Sequence, residues 1–242
     1  MSQGTASAAS GGMSSQPSTR RRIQDAALEL FAAKGFFATG IREIADRVGV
    51  TTAALYHYMG SKDDLLLEIM TSAMTQLIQT AEESVATAGE PAAELATLVR
   101  AHVGYHALDP LRSMVNDDEL RAVGGQPRAR IMKLRDSYEE LWTQTLDRGI
   151  ARGVFHVSDA KITRLALLEM CNGVDRWYSS AGPMGPGEVA DVFADLALAM
   201  VDARRDGQPV RLSNLACAPT EQVLAIARRA LQAIGDGGDQ PG

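Results

Sequence analysis

From about residue 19 onward, apolar positions recur every three or four residues, and the pattern holds almost to the end of the chain. No stretch alternates in-out with β-branched enrichment, so the spacing predicts an all-α protein. Ile23, Ala27, Leu30 and Phe31 mark the inward stripe of a first helix over about 19–34, closed by Gly35. Ile41, Ile44, Ala45 and Val48 mark a second helix over about 40–48, broken at Gly49. Thr51 stands where an N-cap belongs, ahead of a third helix over about 52–59. On that third helix Leu55, Tyr58 and Met59 fall on an inward face, while Thr52, Ala53, Tyr56 and His57 fall on the other. Ser61, followed by Asp63 and Asp64, opens a fourth helix.

Beyond residue 88 the helical segments lengthen and are punctuated by Gly and Pro. "PAAELATLVRAHVGYHAL" stops at Pro110, and "PRARIMKLRDSYEELWTQTLDRGIARG" ends at Gly153. Helices over about 158–178 and 187–204 carry broad apolar stripes: Ile162, Ala166, Met170, Gly173, Val174 and Trp177 on one, Val189, Val192, Phe193, Leu196 and Met200 on the other. A last helix over about 220–234 follows a connector of about 15 residues. The small, polar, unpatterned ends are expected to be disordered. The expected organisation is a tail over 1–18, a helix-turn-helix head over 19–64, a helical body over 65–235 and a short tail over 236–242.

A helix of about eight residues, a glycine turn and a second short helix have helix-turn-helix spacing. The outward face of the third helix is small, flat and polar, which suits entry into a DNA major groove: Thr and Ala let the backbone approach, and Tyr and His reach phosphate. Net charge is −6 over 242 residues, which taken whole disfavours a polyanion partner. Its distribution reverses that: residues 1–62 hold seven basic and four acidic side chains, a net of +3, and the remainder nets −9. A basic head on an acidic body fits DNA binding at one end only. The two cysteines, Cys171 and Cys217, form no CxxC, so neither a disulfide framework nor a zinc finger is implied. No signal peptide and no membrane-length apolar run is evident, so a cytoplasmic protein with no membrane partner is expected.

The stretch "RRRIQDAALELFAAKGFFATGIREIADRVGVTTAALYHYMGSKDDLL" resembles the N-terminal domain of TetR family transcriptional repressors. The resemblance rests on "ALELFAAKGF", "ATGIREIADRVGV", "LYHYMGSKDDLL" and the helix order, about 47 residues in all. It implies a ligand-responsive repressor that binds a palindromic double-stranded operator as a homodimer and is released by a small-molecule effector. Carried onto matching positions, Thr51, Thr52, Ala53 and His57 face bases, and Thr39, Arg42, Tyr56 and Lys62 hold phosphates. Gly40 departs from the usual hydroxyl residue there, which puts a phosphate contact at that position in doubt. Arg20 to Arg22, taken to stand just before the first helix, read either as a DNA-contacting arm through Arg22 or as a solvated charge run.

The resemblance thins in the body. It implies that the helices over about 158–178 and 187–204 pair with their copies in a four-helix dimer bundle. "DRWYSSAGPMGPGEV" resembles a tract in TetR regulators of lipid and acyl-CoA pathways, which points to an acyl-CoA or other lipid-derived effector. His102, Tyr105, His106, Met114, Trp142, Met170, Cys171 and Asn172 are expected to line the effector pocket, being amphipathic or soft apolar groups. Arg128, Arg130, Lys133 and Arg135 could meet the phosphates of a CoA moiety or form a solvated face. His102 and His106, four apart, could join Cys171, Asp109 or Asp118 at a metal, but the dense Cys/His spacing of a metal sensor is lacking. Neither metal nor cofactor is expected. The sequence shows no GxSxG, HExxH, P-loop or Rossmann fingerprint, so an enzyme is disfavoured. Sequence does not separate a repressor from an activator of the same fold.

Overall fold

The computed structural model describes residues 18–86 and 88–236. Eleven α-helices account for about three quarters of this span: α1 Thr19–Lys34, α2 Ile41–Val48, α3 Thr52–Met59, α4 Lys62–Val85, α5 Pro91–Leu108, α6 Pro110–Asp118, α7 Gly125–Ala151, α8 Ala160–Asn172, α9 Val174–Trp177, α10 Pro186–Met200 and α11 Thr220–Asp236. The all-α expectation holds. The strand pairing described is a two-residue antiparallel hairpin, β1 Arg204–Arg205 with β2 Gln208–Pro209. It lies where the sequence pattern carried α10 on to residue 204. The helix instead ends at Met200, and the chain turns through Asp202, which has a positive φ of 42°. The helix expected over about 158–178 is likewise divided at Gly173 into α8 and α9. The expected disordered ends lie almost wholly outside the described residues.

Two apolar cores organise the chain. The first gathers Ile23, Phe31, Ile44, Val48, Leu55 and Met59 from α1–α3, and closes against Leu65, Leu66, Ile69 and Met70 of α4. Val115 of α6 and Ile131 of α7 belong to this same core. The second gathers Met74, Leu77 and Ala81 of α4 with α5, α7, α8 and α10. α4 therefore contributes its first half to the head core and its second half to the body core. It is anchored by a reciprocal cap: the Ser61 hydroxyl accepts from the Asp64 N–H at 3.0 Å, and the Asp64 carboxylate accepts from the Ser61 N–H at 2.9 Å.

α5 runs through the middle of the body and is buried at every position but Glu94 from Pro91 to Ala107, as a central helix is when neighbours cover its whole circumference. Its one internal glycine, Gly104, faces α11: a Cβ there would lie 2.4 Å from Leu224 Cδ2. Glycine at that point lets α11 seat closely. Arg100, nearly buried on α5, donates to Asp191 Oδ1 of α10 at 2.8 Å and to the Ala218 carbonyl at 3.0 Å, and the Thr220 hydroxyl donates to the same Asp191 oxygen. The C-terminal segment is thus fastened to α5 and α10 by a shared charge-assisted network. Among the described residues no helix is long and apolar enough to cross a membrane.

Candidate nucleic-acid interface and buried cavity

The α2–α3 turn follows from local chemistry. Gly49 ends α2 in the left-handed region, φ 76° and ψ 36°, where its N–H reaches the Ala45 carbonyl. The Thr51 hydroxyl then caps α3 by accepting from the Ala54 N–H at 3.1 Å. Leu55 and Met59 bury their side chains under α3, as the spacing requires. Thr51, Ala53, Tyr56 and His57 are exposed, and Thr52 is half-buried. Tyr58, assigned to the inward face, is 40% exposed. An eight-residue helix resting on two small partners buries only a narrow stripe, and Leu55 and Met59 fill it.

The cationic groups around α3 divide into free and engaged. Arg42 is exposed and makes no ion pair or side-chain hydrogen bond among the described residues. Lys62 is half-buried: its Nζ donates to the Phe36 and Thr39 carbonyls at 2.9 and 2.8 Å and lies 4.2 Å from the Phe36 ring centre. It locks the α1–α2 connector and keeps one N–H for an outside acceptor. Thr39 corrects an expectation. It is 2% exposed, and its hydroxyl donates to the Gly35 carbonyl at 2.9 Å, satisfying the end of α1 instead of a phosphate. The arginines of the proposed arm are also placed differently, inside the first turn of α1. Arg20 grips Glu68 of α4 at 2.7 Å, Arg21 pairs with Asp25, and exposed Arg22 donates to the Val48 carbonyl at the end of α2.

In the body, a cavity of about 140 Å³ opens between α4, α5, α6, α7 and α8. Of the expected pocket residues, His102, His106 and Asn172 line it. The other five do not. Tyr105 points at α4, donating to the Ala73 carbonyl at 3.2 Å; Met114 lines a groove between α1 and α6; and Trp142, Met170 and Cys171 pack into the body core. Tyr105 and Trp142 pack instead because α5 and α7 are buried on several sides at once, so an amphipathic residue there need not meet the cavity. Sequence reading missed Asn116, Asp117, Tyr138, Glu139 and Glu169, which do line it. Arg135, read as a CoA-phosphate or surface group, lines it as well and bonds Asp117 at 3.0 Å and the Asn116 carbonyl. The spacing Arg135, Tyr138, Glu139 at i, i+3, i+4 was the available signal, since it sets all three on one face of α7.

The His102 and His106 rings stack with centres 4.2 Å apart, and His102 Nδ1 lies 2.7 Å from the Tyr138 hydroxyl. Burial, with each ring beside the other's potential charge, holds the His102 pKa well below the ordinary value, and burial lowers His106 to about 4. Both imidazoles are therefore neutral at pH 7. Among the described residues no group of three or more His, Cys, Asp or Glu side chains is arranged to hold a metal.

A helix-turn-helix head carried by a larger helical body is the architecture of a DNA-binding transcriptional regulator. Residues 23–69 match the family described as "Bacterial regulatory proteins, tetR family", and residues 88–201 match "Tetracyclin repressor-like, C-terminal domain". The chain is 32% identical to the TetR family transcriptional regulator PfmR from Thermus thermophilus, covering 74% of this chain and 97% of that one, with a TM-score of 0.68. It belongs to the TetR family. It is 29% identical over 183 residues to the HTH-type transcriptional repressor KstR2 of Rhodococcus jostii, covering 74% of this chain and 89% of that protein. It is also 28% identical over 132 residues to the fatty acid metabolism regulator protein of Bacillus subtilis, covering 54% of this chain and 68% of that protein.

Proposed function

We propose that this protein is a ligand-responsive repressor: a homodimer that grips a palindromic operator and releases it when an acyl-CoA or other lipid-derived effector enters the body. The observation that carries this reading is the double membership of α4 and α6. Leu65 to Met70 of α4 sit in the head core, while Met74 and Leu77 of the same helix line the cavity. Val115 of α6 sits in the head core, and its neighbours Asn116 and Asp117 line the cavity. A ligand that displaces either helix must move the head, and it shifts the population only to the extent that it prefers the displaced state.

Thr51, Thr52, Ala53 and His57 read base edges, and Arg42, Tyr56, Arg22 and the spare N–H of Lys62 hold phosphates. The homodimer is supported by an apolar surface that a single chain leaves uncovered. Ile162 and Leu165 of α8 and Val192, Leu196 and Met200 of α10 are all exposed, Ile162 to 62%. These residues, of which the sequence pattern placed all but Leu165 inward, form stripes at i, i+3 and i, i+4, i+8. They suit a four-helix contact between two copies. The similarity to KstR2 and to a fatty acid metabolism regulator supports the lipid-derived effector class. Selection of bound duplexes from a random pool tests the reading: a two-fold symmetric site, its half-sites about one or more helical turns (roughly 34–36 Å each) apart, is expected. Recovery of no preferred sequence would refute it.

A further inference from the structure

The groove between α1 and α6, about 440 Å³ in volume, shares no lining residue with the α4–α8 cavity. Glu119, in the 3₁₀ turn Glu119–Ala122 that follows α6, lines this groove and is 4% exposed. Its Oε1 is set against Gly35, where a Cβ would lie 3.3 Å away. Glycine at that point, with φ 84°, lets the carboxylate come up to the end of α1. Among the described residues the Glu119 carboxylate makes no ion pair and no hydrogen bond, because the cations of these segments are turned elsewhere. Lys34 pairs with Glu43, Arg176 with Asp118 at 2.8 Å, and Arg128 donates to the Leu120 carbonyl at 2.6 Å. Arg121 lies on the exposed rim.

The end of α1 is the wrong pole for an anion. The Ala32, Ala33 and Lys34 carbonyls belong to its last turn, accept no hydrogen bond among the described residues and carry the negative end of the helix dipole. All three residues line the same groove as Glu119. A buried carboxylate without a partner and a set of unpaired carbonyls therefore converge, and positive charge complements both. Glu119 repels an anion, and no group of three or more His, Cys, Asp or Glu side chains among the described residues is arranged to hold a metal. A protonated primary amine meets the demand: its three N–H donors can serve the carboxylate and the carbonyls together. Lys34 and Arg121, in the same wall, disfavour a second positive charge. Ala32 and Met114 offer apolar surface to a carbon body.

We propose that this groove is a second small-molecule site, for a primary monoamine whose ammonium donates to Glu119 and to the unpaired carbonyls of α1 while its carbon body lies along Ala32 and Met114. The occupant touches the head through α1 and the body through α6. The site is distinct from the α4–α8 cavity and does not depend on the effector class that enters there.

The test is an NMR titration of the isotope-labelled full-length protein at pH 7.5 and fixed ionic strength. The probes are n-butylamine, which is charged there as a lysine side chain is, with n-butanol, butyltrimethylammonium, putrescine and butyrate. Butylamine is expected to give saturable shifts at the Gly35 and Glu119 amides and none at those of His102 and Asn172. Butanol lacks the charge and butyltrimethylammonium the N–H donors, so each is expected to bind about tenfold more weakly. Putrescine, with its second charge, should also bind more weakly than butylamine, and butyrate not measurably. Glu119→Gln, which keeps the size and removes the charge, should weaken butylamine about tenfold. Arg121→Glu, on the exposed rim, should tighten it several-fold, which damage to the fold would not do. Shifts confined to other amides, equal binding of butanol, butyltrimethylammonium or putrescine, or an affinity unchanged in either variant would overturn the proposal. The duplex selection above is independent: a preferred operator with no amine binding would refute this inference and leave the DNA-binding reading intact.

Discussion

Leu224 and Gly104 meet face to face where α11 crosses α5, and a double-mutant cycle on them measures how firmly the C-terminal helix holds the body. Leu224 is fully buried, so Leu224→Ala removes three carbons from a packed site and leaves a cavity, costing about 3 kcal/mol. Gly104→Ala alone places a methyl 2.4 Å from Leu224 Cδ2. The resulting overpacking of about 2 kcal/mol is offset by about 1 kcal/mol of helix propensity gained on leaving glycine, for a net loss of about 1 kcal/mol. Were the two independent, the double variant would lose about 4 kcal/mol. In the double variant the clash is gone, the propensity gain remains and the new methyl fills part of the cavity, worth about 0.8 kcal/mol. The double variant is therefore expected to lose only about 1 kcal/mol, a coupling of about 3 kcal/mol. Urea denaturation followed by circular dichroism, at one protein concentration, reads all four corners. Additive losses, or a Leu224→Ala cost below about 0.5 kcal/mol, would show that α11 is not seated in the α5 notch and would refute the packing argument.

Other consequences can be checked separately. His106 has a folded pKa of about 4 against about 6.5 when unfolded, so its contribution is complete above about pH 6.5 and is lost as pH falls towards 4. Asp175 works in the opposite sense, raised to about 6 by burial and by Asp117, and makes the wild-type slope shallower. His106→Asn should therefore lower the slope of stability against pH between 6 and 4.5 by about 1.4 kcal/mol per unit, and matching slopes in denaturation series would count against the buried neutral ring. Gly149→Ala sets a Cβ 1.9 Å from the Phe155 ring and should cost about 2–3 kcal/mol, seen as a melting temperature lower by about 4–12 °C. Arg42→Ala should weaken binding to every duplex alike and reduce the salt dependence by about one counterion, whereas an altered sequence preference would reassign Arg42 to base reading. Leu196→Asp, in the exposed stripe of α10, should give a monomer in sedimentation velocity at micromolar concentration; an unchanged dimer would move the interface elsewhere.

The sequence by itself determined the local features: helix identity, the Gly49 turn, the Thr51 and Ser61 caps, and the burial of Leu55 and Met59. Each depends on residues within a turn or two of one another, and period, cap chemistry and left-handed glycine act over that range. The outward display of Ala53, Tyr56 and His57 followed from the same period, whereas Thr52, read as outward with them, is half-buried. Tertiary structure alone decided which of two apolar faces on α8 and α10 turns inward, because a hydrophobic stripe records that burial is needed and not by what. It also decided that Thr39 and two of the three N–H bonds of Lys62 serve the fold, since their acceptors lie on carbonyls set by the chain's path. The cavity belongs to the same class: His102 and Tyr138 are 36 residues apart, and only the crossing of α5 and α7 sets the Tyr138 hydroxyl 2.7 Å from the His102 imidazole. Spacing along one helix fixes a direction for each side chain, but a site needs directions from several helices to converge, and that depends on packing.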